Sequence, residues 1–280
     1  MGSFVVITKG VFEQERRNGR VVMGYLLGIA IMAYWADNFL KYALEVGEPV
    51  NIFETFCVVE QNYVNMLFLI LGWLLVIADT PFMKGNTCFV LYRCGRRKWN
   101  AGMLLYLFMQ AFFYTMCMAF FTVMLSSFRG FCGNIWSSPA YSLAIDFGNN
   151  IGVKYNITFP QIMMMKTMTV PQAFAVTFLF MYLYLVFLGT LLYVCNLLLP
   201  GILGVVITLG VHLLGYLQMQ DGNVRFSPLA WAVPGNFIDG TLKYWRIPVS
   251  FLGLIAIFVL LSVIFVKKVD FKAGTEVDIR

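Results

Sequence analysis

Charge is what this chain has least of: 12% of its 280 residues are Asp, Glu, Lys or Arg, and His212 is its single histidine. A soluble domain carries about 25% charge to keep its surface hydrated, so a free globular enzyme or binding module is excluded. No stretch follows the phosphate-cradling pattern G-x-x-x-x-G-K-[ST], which excludes a nucleotide hydrolase of that type. One histidine with no carboxylate in its own apolar run leaves no constellation for a serine hydrolase or a zinc protease. The six cysteines give no metal signature either. Cys88 and Cys94 are spaced wrongly for C-x-x-C, Cys117 and Cys195 sit in apolar runs, and only Cys57 and Cys132 share a side on which an oxidising exterior would permit a disulfide. There is no internal repeat and no low-complexity tract.

What the chain has is apolar length. Six stretches run Val21 to Ala36, Tyr63 to Ala78, Ala101 to Phe121, Ala173 to Leu199, Ile202 to Leu217 and Val249 to Val266. A helix needs ~20 residues to cross the hydrocarbon core, so the shorter runs must take in polar neighbours such as Gln61 or Gln218. With 60% hydrophobic residues and a mean hydropathy of +0.77, the chain reads as an all-α, polytopic membrane protein. Six transmembrane helices and their connections fill residues 1–280 as one transmembrane domain and leave no room for a large soluble one. The first ~20 residues are charged throughout and lack the continuous apolar core of a cleavable signal, so the first span reads as a retained anchor.

The distribution of basic residues orients the spans. Thirteen of the 20 lie before span 1, between spans 2 and 3, or after span 6, with six acidic residues beside them, a net of +7. The opposite side has seven basic and eight acidic residues, a net of −1. Both termini are therefore expected in the cytoplasm. The segment after span 1, with Asp37, Glu45, Glu48, Glu54 and Glu60 against Lys41, is expected to face outward.

Before span 1, Phe4, Ile7, Thr8, Val11 and Phe12 recur at helical spacing while Lys9, Glu13, Arg16 and Arg17 fall elsewhere, which describes an amphipathic interfacial helix within residues 1–20. Residues 81–100 hold a second short cytosolic helix, Lys84 to Cys94, closed by Gly95 and followed by the basic turn of Arg96, Arg97 and Lys98. Phe89, Leu91 and Tyr92 cannot all face lipid around so short a helix, and leftover apolar area marks a partner surface. Two outer segments, residues 126–171 and 218–247, combine Pro and Trp in a way that suits short helices dipping into the outer interface. Within the former, Met163, Met164, Met165 and Met168 are thioethers able to bind cuprous copper or simply to pack, and Asn156-Ile157-Thr158 is a glycosylation sequon.

Inside the six runs His212 is the one ionisable group of the kind that ion-coupled carriers keep for their pathways. It is open to two readings, a substrate contact or gate, or a helix-packing histidine hydrogen-bonded to a neighbour. The scarcity of charge weighs against a carrier energised within the membrane.

Three segments together resemble the membrane subunit of ABC exporters of the ABC type-2 (type V) permease family. These are the amphipathic VITKGVFEQERRNGR, the basic GNTCFVLYRCGRRKW between spans 2 and 3, and FSPLAWAVPGNF before span 6. The resemblance implies a permease subunit of the bacterial cytoplasmic membrane that pairs with a second permease subunit, a copy or a relative. It also implies separate cytosolic ABC ATPase subunits that hold ATP and magnesium, so this chain would bind no cofactor and no nucleic acid, only partners and membrane lipid. Lys84, Phe89, Leu91, Tyr92, Arg93, Arg96 and Arg97 would touch the ATPase. Phe68, Trp73, Thr208, His212 and Tyr216, on spans 2 and 5, would line a path for a hydrophobic or amphipathic cargo such as a peptide or a lipid-like compound. Two rival classes remain, a non-transporting scaffold or sensor and a carrier or channel working alone.

Overall fold

A computed structural model describes residues 3–81, 87–145, 153–157, 159, 162–199, 202–238 and 246–267. It is almost wholly helical. The helices are α1 (Ser3–Glu15), α2 (Gly19–Val46), α3 (Glu54–Gln61), α4 (Tyr63–Ile77), α5 (Thr87–Cys94), α6 (Arg96–Ser127), α7 (Ser138–Ile145), α8 (Ile162–Thr167), α9 (Val170–Leu198), α10 (Leu203–Gln220), α11 (Pro228–Ala232), α12 (Gly235–Ile238) and α13 (Arg246–Phe265). The departure from an all-α chain is minimal: β1 (Val50–Asn51) and β2 (Gly130–Phe131) pair in parallel, Val50 opposite Gly130. Five helices, α2, α6, α9, α10 and α13, are long and apolar enough to cross a membrane, and the pair α3 and α4, bent by 93°, brings the number to six if it counts as one span.

Local chemistry explains the breaks. Asn18 opens α2 by accepting from the Arg20 N–H, and Gly47, at φ +80, closes it in the left-handed conformation with its N–H on the Ala43 carbonyl. With no glycine or proline between Ala36 and Gly47, α2 runs ten residues past the apolar boundary expected at Ala36. Asp37, Lys41 and Glu45 are thus helical, Asp37 and Lys41 pairing one turn apart at 2.6 Å, instead of lying in a loop. At 28 residues the helix is ~42 Å long, more than the ~30 Å hydrocarbon core, so it projects beyond it. Asn62 makes the bend before α4. Its backbone is extended (φ −82, ψ 108), so α3 stops there, and its side chain accepts from Val64 N–H and starts α4.

The helices pack around α9. Of its most apolar window 78% is buried inside the chain, against 22% for α10 and for α13, which therefore stand at the periphery. α2 and α4 approach most closely, because Gly24 and Gly72 leave room: a Cβ on Gly24 would stand 2.6 Å from the Gly72 carbonyl oxygen. Amphipathic α1 does form, but it docks on α6 instead of standing alone at the interface. Ile7 is buried over Gly102, and the Thr8 hydroxyl donates to the Gly102 carbonyl at 2.9 Å. One end of the bundle carries α1, the ion pair of Arg20 with Asp79, and the Arg96 bond to the Lys267 carbonyl; it is called the basic end here.

At the far end, a second core forms where short helices were expected to dip into lipid. Phe39, Tyr42 and Val50 pack with Val58, Leu143 and Phe159, so α7 and the chain around it sit on the projecting end of α2. Polar contacts hold this cap: Tyr42 and Ser142 share a hydrogen bond of 2.7 Å, and Lys154 meets Glu45 at 2.8 Å. The Glu45 carboxylate, and then the Tyr155 hydroxyl, hold the Lys154 ammonium above its usual range.

Candidate functional site

At the basic end two short helices meet on the start of α6. Gly95, at φ +77, lets the chain turn from α5 into α6 with no intervening loop. The turn brings α5 beside α1, and between them lies a cavity of about 420 Å³ lined by Ile7, Val11, Val90, Arg93, Trp99 and Met103. Arg93, which lines it, is exposed, as are Arg96 and Arg97 in the first turn of α6, directly after α5. Leu91 is not: it is 8% exposed and joins the main core, because its position on α5 faces α6, so it is no part of an outward contact surface. Lys84 and the side chains of Phe89 and Tyr92 lie outside the described residues.

The five residues expected along a pathway divide by burial. Trp73, Thr208 and His212 are fully buried within the single chain, whereas Phe68 is 46% exposed and Tyr216 half-buried. The Trp73 indole N–H donates to the Leu185 carbonyl at 3.1 Å, and the Thr208 hydroxyl donates within its own helix to Gly204. His212 bridges three helices, with Nδ1 2.7 Å from the Tyr184 hydroxyl on α9 and Nε2 3.2 Å from the Leu67 carbonyl on α4. A carbonyl can only accept, so Nε2 carries the hydrogen and Nδ1 accepts from Tyr184, the neutral tautomer. Of the two readings of His212, its geometry is that of the packing clamp. Tyr216 lies against Tyr63, with ring centroids 5.8 Å apart, and accepts from Gln220 at 2.9 Å.

α3 is what sequence reasoning missed. Glu54 and Glu60 were expected in an outward-facing segment and Gln61 at the polar end of a span, yet every residue from Glu54 to Gln61 is buried among α2, α4, α6 and α9. Glu54 accepts from both the backbone N–H and the hydroxyl of Ser137, at the start of α7. Gln61 accepts from Gly235 N–H at 3.1 Å and donates to the Met164 sulfur at 3.6 Å. Glu60 has no hydrogen-bond partner among the described residues for either carboxylate oxygen. The available signal was the apolar quartet Phe56 to Val59 between the two glutamates, with the capping residue Asn62 two positions after Glu60. Both thiols of the disulfide that the sequence permits are free: Cys57 is buried in α3, bonded to the Phe53 carbonyl, and Cys132 is exposed. Met164 is buried beside Cys57 and Ala173, which makes it a packing residue.

No family model, curated protein or solved structure matches this chain. The groups its chemistry rests on are those just described: a cavity lined by Arg93 at one end, a histidine clamp within, and, at the bend between α3 and α4, a buried carboxyl with no partner among the described residues.

Proposed function

We propose that this chain is the permease subunit of an ATP-driven ABC exporter, with six spans, both termini in the cytoplasm and the bent α3 and α4 together as the second span. The observation that carries the reading is the platform at the basic end. α1 and α5 are extramembrane in this reading, both seat on α6, and exposed Arg93 lines their shared cavity, with Arg96 and Arg97 exposed just after it in the chain. A largely apolar recess next to a cationic turn suits a protein partner that pushes on the start of α6. In this reading the partner is a cytosolic ABC ATPase with its own ATP and magnesium, and a second permease subunit completes the path for a hydrophobic or amphipathic cargo.

The test is co-expression with any ABC ATPase that a neighbouring reading frame encodes and pull-down through an affinity tag on this chain. Phe89→Asp or Tyr92→Asp is expected to lose the ATPase while the chain still inserts. Wild-type recovery of the ATPase by both variants would refute the platform assignment.

A second reading, a carrier working alone, gains support from buried Glu60, which has no partner among the described residues and is the kind of carboxyl that ion-coupled pathways keep. Transport by the purified chain in liposomes with an ion gradient and no ATPase separates the two.

A further inference from the structure

Glu60 stands at a depth where a naked charge is hardest to keep. Asn65, at the start of α4, donates to the sulfur of Met32 at 3.7 Å, which ties the bend to that level of α2. Met32 lies twelve residues along α2 from Arg20, ~18 Å at 1.5 Å per residue. If the Arg20 and Asp79 ion pair marks one boundary of a ~30 Å hydrocarbon core, the bend falls well inside it. α4, at 15 residues and ~22 Å, stops short for the same reason.

The surroundings supply nothing that holds a negative charge. Glu60 is 2% exposed, and neither oxygen has a hydrogen-bond partner among the described residues. The titratable groups near it are Cys57, one turn back on α3, and Tyr114 on α6. The other elements packed against α3 offer no free cation at this level: α4, α9 and β1 contain no charged residue, α6 has none after Lys98, and α2 has none between Arg20 and Asp37, while its Lys41 is exposed and bound to Asp37. Glu54, at the other end of α3, is already bound to Ser137. A second such group stands across the bend, since Asn65 turns its amide nitrogen back to the Val59 carbonyl at 3.1 Å and leaves its buried oxygen without a partner among the described residues. An ionised carboxylate in such a place costs far more than a neutral acid, and broken helices at membrane depth are where spanning proteins place exchangeable small cations.

We propose that Glu60 is a proton-binding site built into the bend between α3 and α4, and that the bound proton keeps α3 docked in the bundle. Loss of the proton leaves a carboxylate that must reach water, and the extended residue Asn62 is the joint about which α3 would swing to bring it there. The proposal stands independently of the ATPase reading, because it concerns this chain by itself.

The test uses the full chain in liposomes and a lipid-soluble carbodiimide, which modifies protonated carboxyls, with Glu60 followed by peptide mass. The adduct is expected to be constant between about pH 5 and pH 7, where an ordinary glutamate of pKa ~4.3 would lose its protonated form roughly a hundredfold. Sodium should not protect. A second measurement follows Cys57, buried one turn away, with an uncharged maleimide. Its labelling should rise more steeply towards about pH 9 in the wild type than in Glu60→Gln, which cannot ionise, the thiol's own titration being common to both. An adduct that falls roughly a hundredfold over the first interval as an ordinary carboxyl does, no adduct at any pH, protection by sodium, or equal Cys57 profiles in the two chains would each overturn the proposal.

Discussion

Gly24 and Gly72 face each other where α2 crosses α4, and Gly72 also lies under the Tyr114 ring: a Cβ there would stand 2.5 Å from its hydroxyl. In a membrane, close helix approach takes the place of hydrophobic force, so these glycines hold the pair together by what they lack. Gly24→Val is expected to cost about 1–3 kcal/mol through overpacking and to lower the thermal unfolding temperature in detergent. Gly210, with nothing within 4 Å, should accept alanine without measurable loss. His212 poses a different problem, since its ring satisfies Tyr184 and Leu67 at once. His212→Leu leaves the Tyr184 hydroxyl buried without its acceptor and should cost about 1–3 kcal/mol in the same melt. His212→Gln can restore a polar contact and should keep transport, with no new pH dependence in a vesicle assay.

Among the elements, α1 is the clearest case of a helix defined by its partner. Its sequence supplies an apolar stripe, but Gly102 on α6 supplies the seat, since a Cβ there would stand 2.8 Å from Ile7. Gly102→Leu is therefore expected to lift α1 from α6 and speed proteolysis at the junction around Arg16 and Arg17, measured on intact vesicles, while α6 remains inserted. α11 shows the opposite balance, with local chemistry in command. Ser227 caps its start by accepting from Ala230 N–H, Pro228 fits the first turn, and the same Ser227 hydroxyl donates to the Gly215 carbonyl at 2.6 Å, which pins the helix to the end of α10. The segment FSPLAWAVPGNF carries its turn signals openly.

For the whole molecule, the unspent surface lies on α10 and α13. Val206, Leu214 and Leu217 on one, and Leu252, Leu260 and Ile264 on the other, are exposed and apolar, against lipid or a second subunit. Four glycines on spans 2 and 5, Gly72, Gly204, Gly210 and Gly215, offer small surfaces for subunit pairing. Three are already in use within the chain, Gly72 against α2, Gly204 against Asn196 and Gly215 against Leu229, so Gly210 alone of these remains for a partner. In the proposed exporter reading, with α10 as the subunit face, Gly210→Cys and Leu214→Cys should cross-link between copies or with a second, related subunit, in a pattern that changes when ATP is trapped in that complex. Uniform absence of inter-subunit products with the assembly intact would place the contact elsewhere.

Sequence alone determined the solvent, because long apolar runs with so few charges have one low-energy environment, and hydrophobic length marks each spanning helix without reference to its neighbours. It also marked α1, the short helix ending at Cys94 and the polar breaks between runs, all of which are written in residues a few positions apart. What only tertiary structure decided was the fate of polar residues just beyond those runs. Glu54 and Glu60 read as residues of an outward segment because a carboxylate normally seeks water, and the burial of Glu54 and Gln61 is completed by Ser137, Gly235 and Met164, supplied from as far as 174 positions along the chain. The inward turn of Leu91 and the enclosure of His212 have the same origin: a side chain's exposure belongs to the surface packed against it, and that surface exists only once distant helices have met.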